Sequence, residues 1–375
     1  MTIRTKLGVL RRRISIIIRQ PRLGVHVWIP GNPYSDMLYR QFRGSRTPLA
    51  MTLLEELDSF TRLRPDNRVL WIHSEASYSW GRRDNQLDEA HHSFLCSLDR
   101  WSRKKGRLVW TVHDDGLHLN DPNTARIDAI REKLREMADC VHVHSQAAKR
   151  LVVRKFGVDA ERVIVVPCPS YEPLYPGVIP RETEKEDAAG QVALRRLLSF
   201  GHVKAYKNYD ALAAALDQLG KGSFARLTIA GKLGGDIVLP ENSYRENLNL
   251  DLQLRFIPDE EVPQFFAAAD FLVLPYTESL TSAAAALAMG FGIPVIAPDL
   301  GGMREGVPAK NWPLIYSSDE PDGLASALRR ARDMSVPQYD ELADQCRAFG
   351  KTIHPDRISA DLLRALSERG ILLPN

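Results

Sequence analysis

The stretch PYTESLTSAAAALAMGFGIPVIAPDLGG, residues 275–302, decides the fold class. Twenty consecutive residues between Glu278 and Asp299 carry no charge, which is close to the length that crosses a bilayer. The same run contains two glycines and two prolines, and these residues interrupt helices. The pattern therefore predicts a buried strand, a helix of small residues that ends at Gly290 and Gly292, and a second strand starting at Pro294.

The alternation of strand and helix continues along the whole chain and predicts parallel sheets. Helical stretches such as 123–138 and 145–157 separate short β-rich apolar runs, and Ser145 is expected to cap the second of these helices. The runs predicted as strands are 24–30, 67–74, 106–114, 140–145 and 162–168 in the first half, and 196–203, 225–231, 252–258, 271–275, 294–298 and 313–317 in the second. The polar segment 176–195 is interpreted as a linker. We expect an α/β protein of two Rossmann-like, doubly wound domains, 1–175 and 196–375.

The charge of the chain is unevenly distributed. Residues 1–170 contain 29 Lys and Arg and 19 Asp and Glu, whereas residues 171–375 contain 21 and 28. This asymmetry predicts that only the first domain meets a polyanion. The segment KLGVLRRRISIIIRQ, residues 6–20, mixes arginines with apolar residues as an interfacial membrane segment does, and a solubilising basic tail is the open alternative. The basic residues are not interleaved with aromatic residues, so the sequence does not indicate a nucleic-acid partner.

Compartment and targeting follow from the cysteines and the first residues. The apolar run before Arg19 is too short for a signal peptide or a membrane span. Four cysteines without pairing or metal-ligand spacing indicate a reducing compartment: Cys96, Cys140, Cys168 and Cys346. We expect a cytoplasmic protein, peripheral at the inner face of the membrane.

The start of the small-residue helix is a candidate phosphate site. Leu280, Thr281 and Ser282 are predicted to lie where unpaired backbone N–H groups leave the helix, just beyond the carboxyl end of a parallel strand. Ligands of open α/β sheets bind at such edges. The alternative reading is ordinary helix capping by Ser and Thr.

Ordered sequence blocks then resemble the nucleotide-sugar glycosyltransferases of the GT-B fold, in particular family 4 and its polysaccharide-assembling relatives. The resemblance covers most of residues 24–308. Its blocks include NPYSDMLYRQF (32–42), VWTVHDDGLH (109–118), FGHVKAYKNYDAL (200–212), RFIPDEEVPQFFAAADFLVLPY (255–276), AMGFGIPVIA (288–297) and GGMRE (301–305). It implies two domains facing a central cleft, with acceptor binding in the first and donor binding in the second, and it allows the last helix to cross back.

The resemblance also implies the site residues. The donor-binding residues would be His202, Lys204, Lys207, Glu278, Leu280, Thr281, Ser282 and Glu305. Lys207 is expected in a turn where it buries little, and it would meet the charge that develops on the leaving diphosphate. Family 4 carries a second glutamate eight residues after the first, and here that place falls on Ala286 or Leu287. Ribose recognition therefore departs from the family pattern.

On the acceptor side, the resemblance and the strand end near residue 113 indicate the chemistry. The catalytic candidates are His113, Asp114 and Asp115, because an inverting enzyme needs a base close to the acceptor hydroxyl. A retaining enzyme would use His113 mainly to orient the donor sugar. The acceptor-binding candidates are Asn32, Tyr34 and His118. His73 is expected to pack in the core or a loop, and His91 and His92 are interpreted as surface residues.

The sequence thus predicts a metal-independent hexosyltransferase without a cofactor, since no Asp-x-Asp pair occurs. It would move a sugar from a UDP- or GDP-linked donor to a saccharide acceptor in exopolysaccharide or glycoconjugate assembly. The acceptor would be lipid-linked if the segment 6–20 binds a membrane surface. Two alternatives stay open: a nucleotide-sugar epimerase of the same fold, and a catalytically silent binding module. The absence of G-x-G-x-x-G disfavours a nicotinamide oxidoreductase.

Overall fold

The computed structural model describes residues 22–26, 33–51, 53–73, 75–79, 83–114, 124–175, 195–235 and 237–372. The chain forms two compact units, Met1–Pro167 with Ile358–Asn375, and Cys168–Arg357. The units divide earlier than residue 175, where the sequence analysis ends the first domain. The reason is that Tyr175 packs its ring against Phe291, and the Ser170 amide donates to the Ile353 carbonyl. Most of the predicted linker lies outside the described residues.

The first unit is built on a six-stranded parallel sheet. Its strands are β1 (Leu23–His26), β2 (Leu49–Met51), β3 (Val69–Ile72), β4 (Arg107–Thr111), β5 (Cys140–Val143) and β6 (Val163–Val165). Its helices are α1 (Pro33–Leu38), α2 (Leu54–Thr61), α3 (Leu87–Arg103), α4 (Thr124–Met137) and α5 (Gln146–Phe156). The strand order is β2-β1-β3-β4-β5-β6, and every pair is parallel.

The second unit repeats this plan. Its strands are β7 (Arg196–Phe200), β8 (Arg226–Ala230), β9 (Asn249–Gln253), β10 (Phe271–Val273), β11 (Val295–Pro298) and β12 (Ile315–Tyr316). The helices that follow β7 are α6 (Tyr209–Leu219), α7 (Glu241–Asn247), α8 (Val262–Ala267), α9 (Ala283–Phe291), α10 (Gly323–Arg332), α11 (Val336–Thr352) and α12 (Pro355–Glu368). The parallel order is β12-β11-β10-β7-β8-β9. From Ile358 onward, α12 belongs to the first unit.

The doubly wound α/β fold predicted from the sequence is confirmed. In each sheet the first strand of the unit is an interior strand, β1 next to the edge strand β2 and β7 in the fourth place, and the chain winds outward from it in both directions. This creates a topological switch point between β1 and β3, and another between β7 and β10. Ligands of such sheets bind at the carboxyl ends of the strands that flank the switch point. The carboxyl edges of the two sheets are therefore the candidate ligand-binding regions.

Two local predictions were wrong, and one strand was not predicted. The short strand β2 has no predicted counterpart, since three residues give too little pattern. Strand β9 ends at Gln253 rather than continuing to 258, and Phe256 beyond it is 71% exposed. Helix α9 contains Gly290, and only Gly292, with φ of +70°, ends it in the left-handed conformation. The helix of small residues is nevertheless buried. A Cβ on Gly350 of α11 would lie 2.5 Å from the Met289 carbonyl oxygen, so the two helices meet almost backbone to backbone.

Other local predictions hold for physical reasons that the sequence displayed. Ser145 caps α5 by accepting from the Ala148 amide, and Gly157 ends that helix with φ of +65°. His92 is exposed and His91 is half-buried, where its Nε2 lies 3.0 Å from the Arg126 carbonyl oxygen. Within the described part of the chain, no helix is both long and apolar enough to cross a membrane.

Candidate functional site

At the switch point of the second sheet, the segments that leave β7 and β10 are joined to each other. The Thr277 amide donates to the Tyr206 carbonyl at 2.8 Å, and the Tyr206 ring packs edge-on against Tyr276 with centroids 5.2 Å apart. The loop after β8 adds to this frame, because a Cβ on Gly231 would lie only 2.2 Å from the Gly201 carbonyl oxygen. Three strand ends therefore support one loop cluster.

Lys207 lies inside this cluster rather than on a solvated turn. Only 2% of it is exposed, and its Nζ donates to the carbonyl oxygens of Phe200 at 2.6 Å and Gly201 at 3.1 Å. Burial, together with the nearby charge of Lys204, lowers the pKa of Lys207 to about 7. The expectation that this side chain buries little was wrong. The reason is that the turn folds back and points Lys207 toward the two carbonyls that end β7.

The two other cations predicted for this turn are more accessible. His202 and Lys204 are both exposed. Partial burial lowers the pKa of His202, and the charges of Lys204, Lys207 and Lys232 lower it further. His202 is thus held toward its neutral form, as a hydrogen-bonding group beside three lysines.

Glu278 follows β10 and lies half-buried beside Tyr206. The pKa of Tyr206 is raised, first by burial and then by the negative charge of Glu278. The carboxylate is therefore close to the Tyr206 side chain, within the loop cluster. It follows a strand end beside the switch point, and its donor-binding role stays a prediction.

The helix start differs from the predicted one by a few residues. Ser282 is the N-cap of α9, and its hydroxyl accepts from the Ala285 amide at 3.2 Å. The N–H groups that leave the first turn without a helical partner are therefore those of Ala283 and Ala284. Leu280 is 5% exposed and packs in the core, and Thr281 is half-buried in the approach to the helix.

The glycine pair after β11 brings a further segment to the same edge. The Gly302 amide donates to the Leu280 carbonyl at 3.1 Å. Gly301 has φ of +53°, and a Cβ there would lie 2.2 Å from the Ser279 carbonyl oxygen. Glu305 follows on an exposed single turn. The GGMRE block thus owes its glycines to close contact with the loop that carries Glu278.

Exposed apolar residues at the same edge are a feature that sequence reasoning missed. Leu233 follows β8, Leu254 and Phe256 follow β9, and Val238 lies on the loop between these strands. Their exposed fractions are 38%, 36%, 71% and 87% respectively. Leu254 and Phe256 were predicted to lie inside a strand because the run is apolar. Exposed apolar side chains at a ligand-binding edge can cover a flat ring.

In the first unit, four histidines gather at the carboxyl ends of neighbouring strands. His73 follows β3, His142 belongs to β5, and His113 and His144 lie two and one residues beyond β4 and β5. We call these four residues the histidine cluster. Three of them are buried and His113 is half-buried. Burial lowers the pKa of each of the four, and that of His113 falls to about 4. The cluster is therefore neutral at physiological pH.

Tyr34 packs against the histidine cluster. Its ring centroid lies 5.1 Å from that of His113, and its hydroxyl lies 2.9 Å from Nε2 of His144. Only 9% of Tyr34 is exposed. The other two acceptor-binding candidates, Asn32 and His118, lie outside the described residues, as does Asp115.

Asp114 is exposed but already engaged. Its Oδ1 accepts from Arg131 at 2.8 Å, and the same guanidinium donates to buried Glu75 at 3.3 Å. Burial raises the pKa of Glu75 to about 6, while Arg131 opposes that rise. Asp114 therefore belongs to a charge network that anchors the end of β4. Among the described residues, no group of three or more His, Cys, Asp or Glu has the arrangement of a metal site.

Models of known protein families match both the first and the second half of the chain. Residues 20–169 match the family described as Glycosyltransferase Family 4, and residues 195–333 match Glycosyl transferases group 1. The chain belongs to the GT-B glycosyltransferases. Similarity to solved structures supports the fold over nearly the whole length. HepE of Anabaena, solved with UDP, has a TM-score of 0.65 at 16% identity and aligns over 92% of this chain and 99% of its own.

Further relatives are similar to this chain without defining its substrates. Sucrose-phosphate synthase of Thermosynechococcus elongatus has a TM-score of 0.61 at 16% identity, covering 97% of this chain and 93% of that one. D-inositol 3-phosphate glycosyltransferase of Corynebacterium glutamicum (strain R) is 26% identical over 64% of this chain and 63% of its own. That of Nocardioides sp. is 27% identical over 71% and 63%. The chain thus spans less than two thirds of the length of these curated relatives.

Proposed function

We propose that this protein transfers a sugar from a nucleotide-sugar donor, held by the second unit, to a phosphate-bearing saccharide or polyol held by the first. The observation that carries the proposal is the convergence of Lys207, Glu278 and the start of α9 at the switch point between β7 and β10. This combination provides one buried cation, one carboxylate and free N–H groups within a single loop cluster. A diphosphate needs cations and N–H donors, and a sugar needs hydrogen-bond acceptors for its hydroxyls.

The donor assignment has independent support from the solved relatives. HepE of Anabaena binds UDP and UDP-glucose in its solved complexes. We infer a uridine or guanosine diphosphate sugar here. Phe256 and Leu233 would cover the base, because they are exposed and lie at the carboxyl ends of the two strands beyond β7. Such cover would replace part of the recognition that the missing glutamate at Ala286 or Leu287 supplies in the family pattern.

The acceptor assignment rests on charge and on the relatives. The first 170 residues hold ten more basic than acidic residues, which favours an anionic acceptor. Relatives named D-inositol 3-phosphate glycosyltransferase take a phosphorylated polyol by name. A lipid-linked saccharide on an anionic membrane surface satisfies the same charge argument and uses the segment 6–20, whose structure lies outside the described residues.

A transfer assay tests the proposal. Purified protein is incubated with UDP-glucose and either D-inositol 3-phosphate or a lipid-diphosphate saccharide in vesicles, and products are analysed by mass spectrometry. We expect one glycosylated acceptor with stoichiometric UDP. Isomerised donor without transfer would support the epimerase instead. Binding of the donor without any turnover would support the silent module, and no binding of UDP-, GDP- or ADP-linked sugars would refute the proposal.

A further inference from the structure

The ring nitrogens of the histidine cluster form hydrogen bonds whose directions can be assigned. The His144 Nδ1 atom lies 2.9 Å and the His142 Nε2 atom 3.1 Å from the carbonyl oxygen of Val166. A carbonyl only accepts, so both nitrogens carry a proton. Burial keeps both rings neutral, and each ring's second nitrogen is therefore an acceptor. Consistently, Nε2 of His144 receives the Tyr34 hydroxyl, and Nδ1 of His142 lies 3.1 Å from the Thr111 hydroxyl.

A second series of hydrogen bonds runs from Tyr39 through His73 to His113. The Tyr39 hydroxyl bonds to Nε2 of His73, and Nδ1 of His73 lies 3.1 Å from Nε2 of His113. Tyr39 and His73 are 6% and 4% exposed, so neither polar group can turn to water. A buried hydroxyl that accepted here would leave its own proton unpaired, and folded proteins rarely bury a donor without a partner. Tyr39 therefore donates.

The remaining protons follow in order. With Nε2 of His73 accepting, the single proton of that neutral ring is on Nδ1, and it is donated to Nε2 of His113. The single proton of neutral His113 is then on its Nδ1. Ring packing holds the path in place, because Trp71 stacks on His73 at 5.5 Å and Tyr39 packs edge-on against Trp71 at 5.1 Å.

We propose that Tyr39 and His73 are positioning residues that fix the proton of His113 on Nδ1, so that His113 serves the site as a hydrogen-bond donor and not as a base. This inference rests on the proposed function only for what His113 would donate to, a hydroxyl or ring oxygen of a bound sugar. It explains why the buried rings of Tyr39, Trp71 and His73 lie behind a half-buried histidine. It also assigns a role to Tyr39, which was not singled out among the residues of the block 32–42.

The test reads the tautomer directly. Protein labelled with ¹⁵N-histidine is studied by long-range ¹H–¹⁵N correlation at pH 7.5, and His113→Asn identifies the His113 signals by their loss. We expect the wild-type His113 to carry its proton on Nδ1. We expect Tyr39→Phe to move His113 toward the Nε2-protonated form or a mixture, because His73 is then free to change tautomer. The matched control is Tyr244→Phe, which removes another buried hydroxyl, bonded to the Tyr209 carbonyl at 2.6 Å, and should leave the His113 signals unchanged.

The outcomes are separate from those of the proposed function. A wild-type His113 protonated on Nε2, or on both nitrogens, overturns the proposal even if sugar transfer is demonstrated. If Tyr39→Phe fails to fold, the wild-type spectrum alone still decides the proton position. Once UDP-glucose turnover can be measured, His113→Asn should keep part of kcat, because the Asn amide places a donor near the Nδ1 position. His113→Asp has no such donor and should lose activity. Equal loss in both variants would contradict the donor role.

Discussion

At the residue scale, Lys207 shows how a buried cation links donor binding to pH. Burial disfavours the charged form and lowers the pKa of Lys207 to about 7. A diphosphate beside Nζ favours the charged form, so donor binding should raise this pKa and take up a proton above pH 7. Affinity for UDP is then expected to fall by up to about tenfold per pH unit above 7.

Calorimetry of UDP binding at pH 8 in two buffers of different ionisation enthalpy measures this uptake. Lys207→Met keeps the bulk of the side chain and removes the charge, and it should weaken binding by about tenfold to a thousandfold and abolish the proton uptake. Its melting temperature has to be compared with that of the wild type, because the variant also loses two hydrogen bonds to backbone carbonyls. Proton uptake that persists in Lys207→Met would place the titrating group elsewhere.

Asp114 is a candidate base whose carboxylate binds Arg131 at 2.8 Å. The substitution Asp114→Asn tests its role. Because the Asn carbonyl still accepts from Arg131, we expect kcat/KM to fall by less than about tenfold, whereas loss of a general base costs about 10²–10⁴. Asp128→Asn is the matched control, since Asp128 lies 3.8 Å from the same guanidinium. A collapse of transfer in Asp114→Asn alone, with donor binding intact, would restore the base assignment.

At the scale of elements, the contact between the glycine pair and the loop after β10 sets the donor site. Gly301→Ala forces a Cβ into a left-handed backbone, which costs about 1–2 kcal/mol, and against the Ser279 carbonyl oxygen. We expect UDP affinity to drop at least tenfold. Gly306→Ala is the control five residues away, because a Cβ there meets nothing within 4 Å. Equal affinities for the two variants would show that this contact does not shape the site.

The elements also show what a sequence can predict. Eleven of the twelve strands in the described residues coincide with or overlap predicted runs, because buried parallel strands are apolar and their flanking Gly, Pro and Ser residues are visible. The resemblance to the family motif predicted a donor-binding role for Lys207. Its burial was not predictable, because the residue pattern of a turn does not show in which direction the turn folds back. The hydrogen bond between Tyr39 and His73 was not predicted. The two residues are 34 positions apart in the sequence, and only the pairing of β1 with β3 brings them together.

At the scale of the whole molecule, the basic first half predicts binding to an anionic surface. Deleting residues 1–20 should lower cosedimentation with anionic vesicles, leaving UDP binding unchanged. Added salt should weaken the binding of the full chain, since charges are screened over about 8 Å at physiological ionic strength. Neutral vesicles are the control. If the full chain does not bind anionic vesicles at low salt, residues 1–20 are a solubilising tail.

Donor binding is the central claim, and thermal unfolding with a panel of UDP-, GDP- and ADP-linked sugars tests it most directly. One nucleotide class should stabilise the protein saturably, by about 2.7 kcal/mol at a hundredfold excess over its dissociation constant. A double variant, Lys207→Met with Glu278→Gln, should lose this stabilisation, while Tyr244→Phe should keep it. Stabilisation that is equal in the double variant would move the donor away from the β7–β10 edge, and a panel without any stabilising nucleotide would contradict the account.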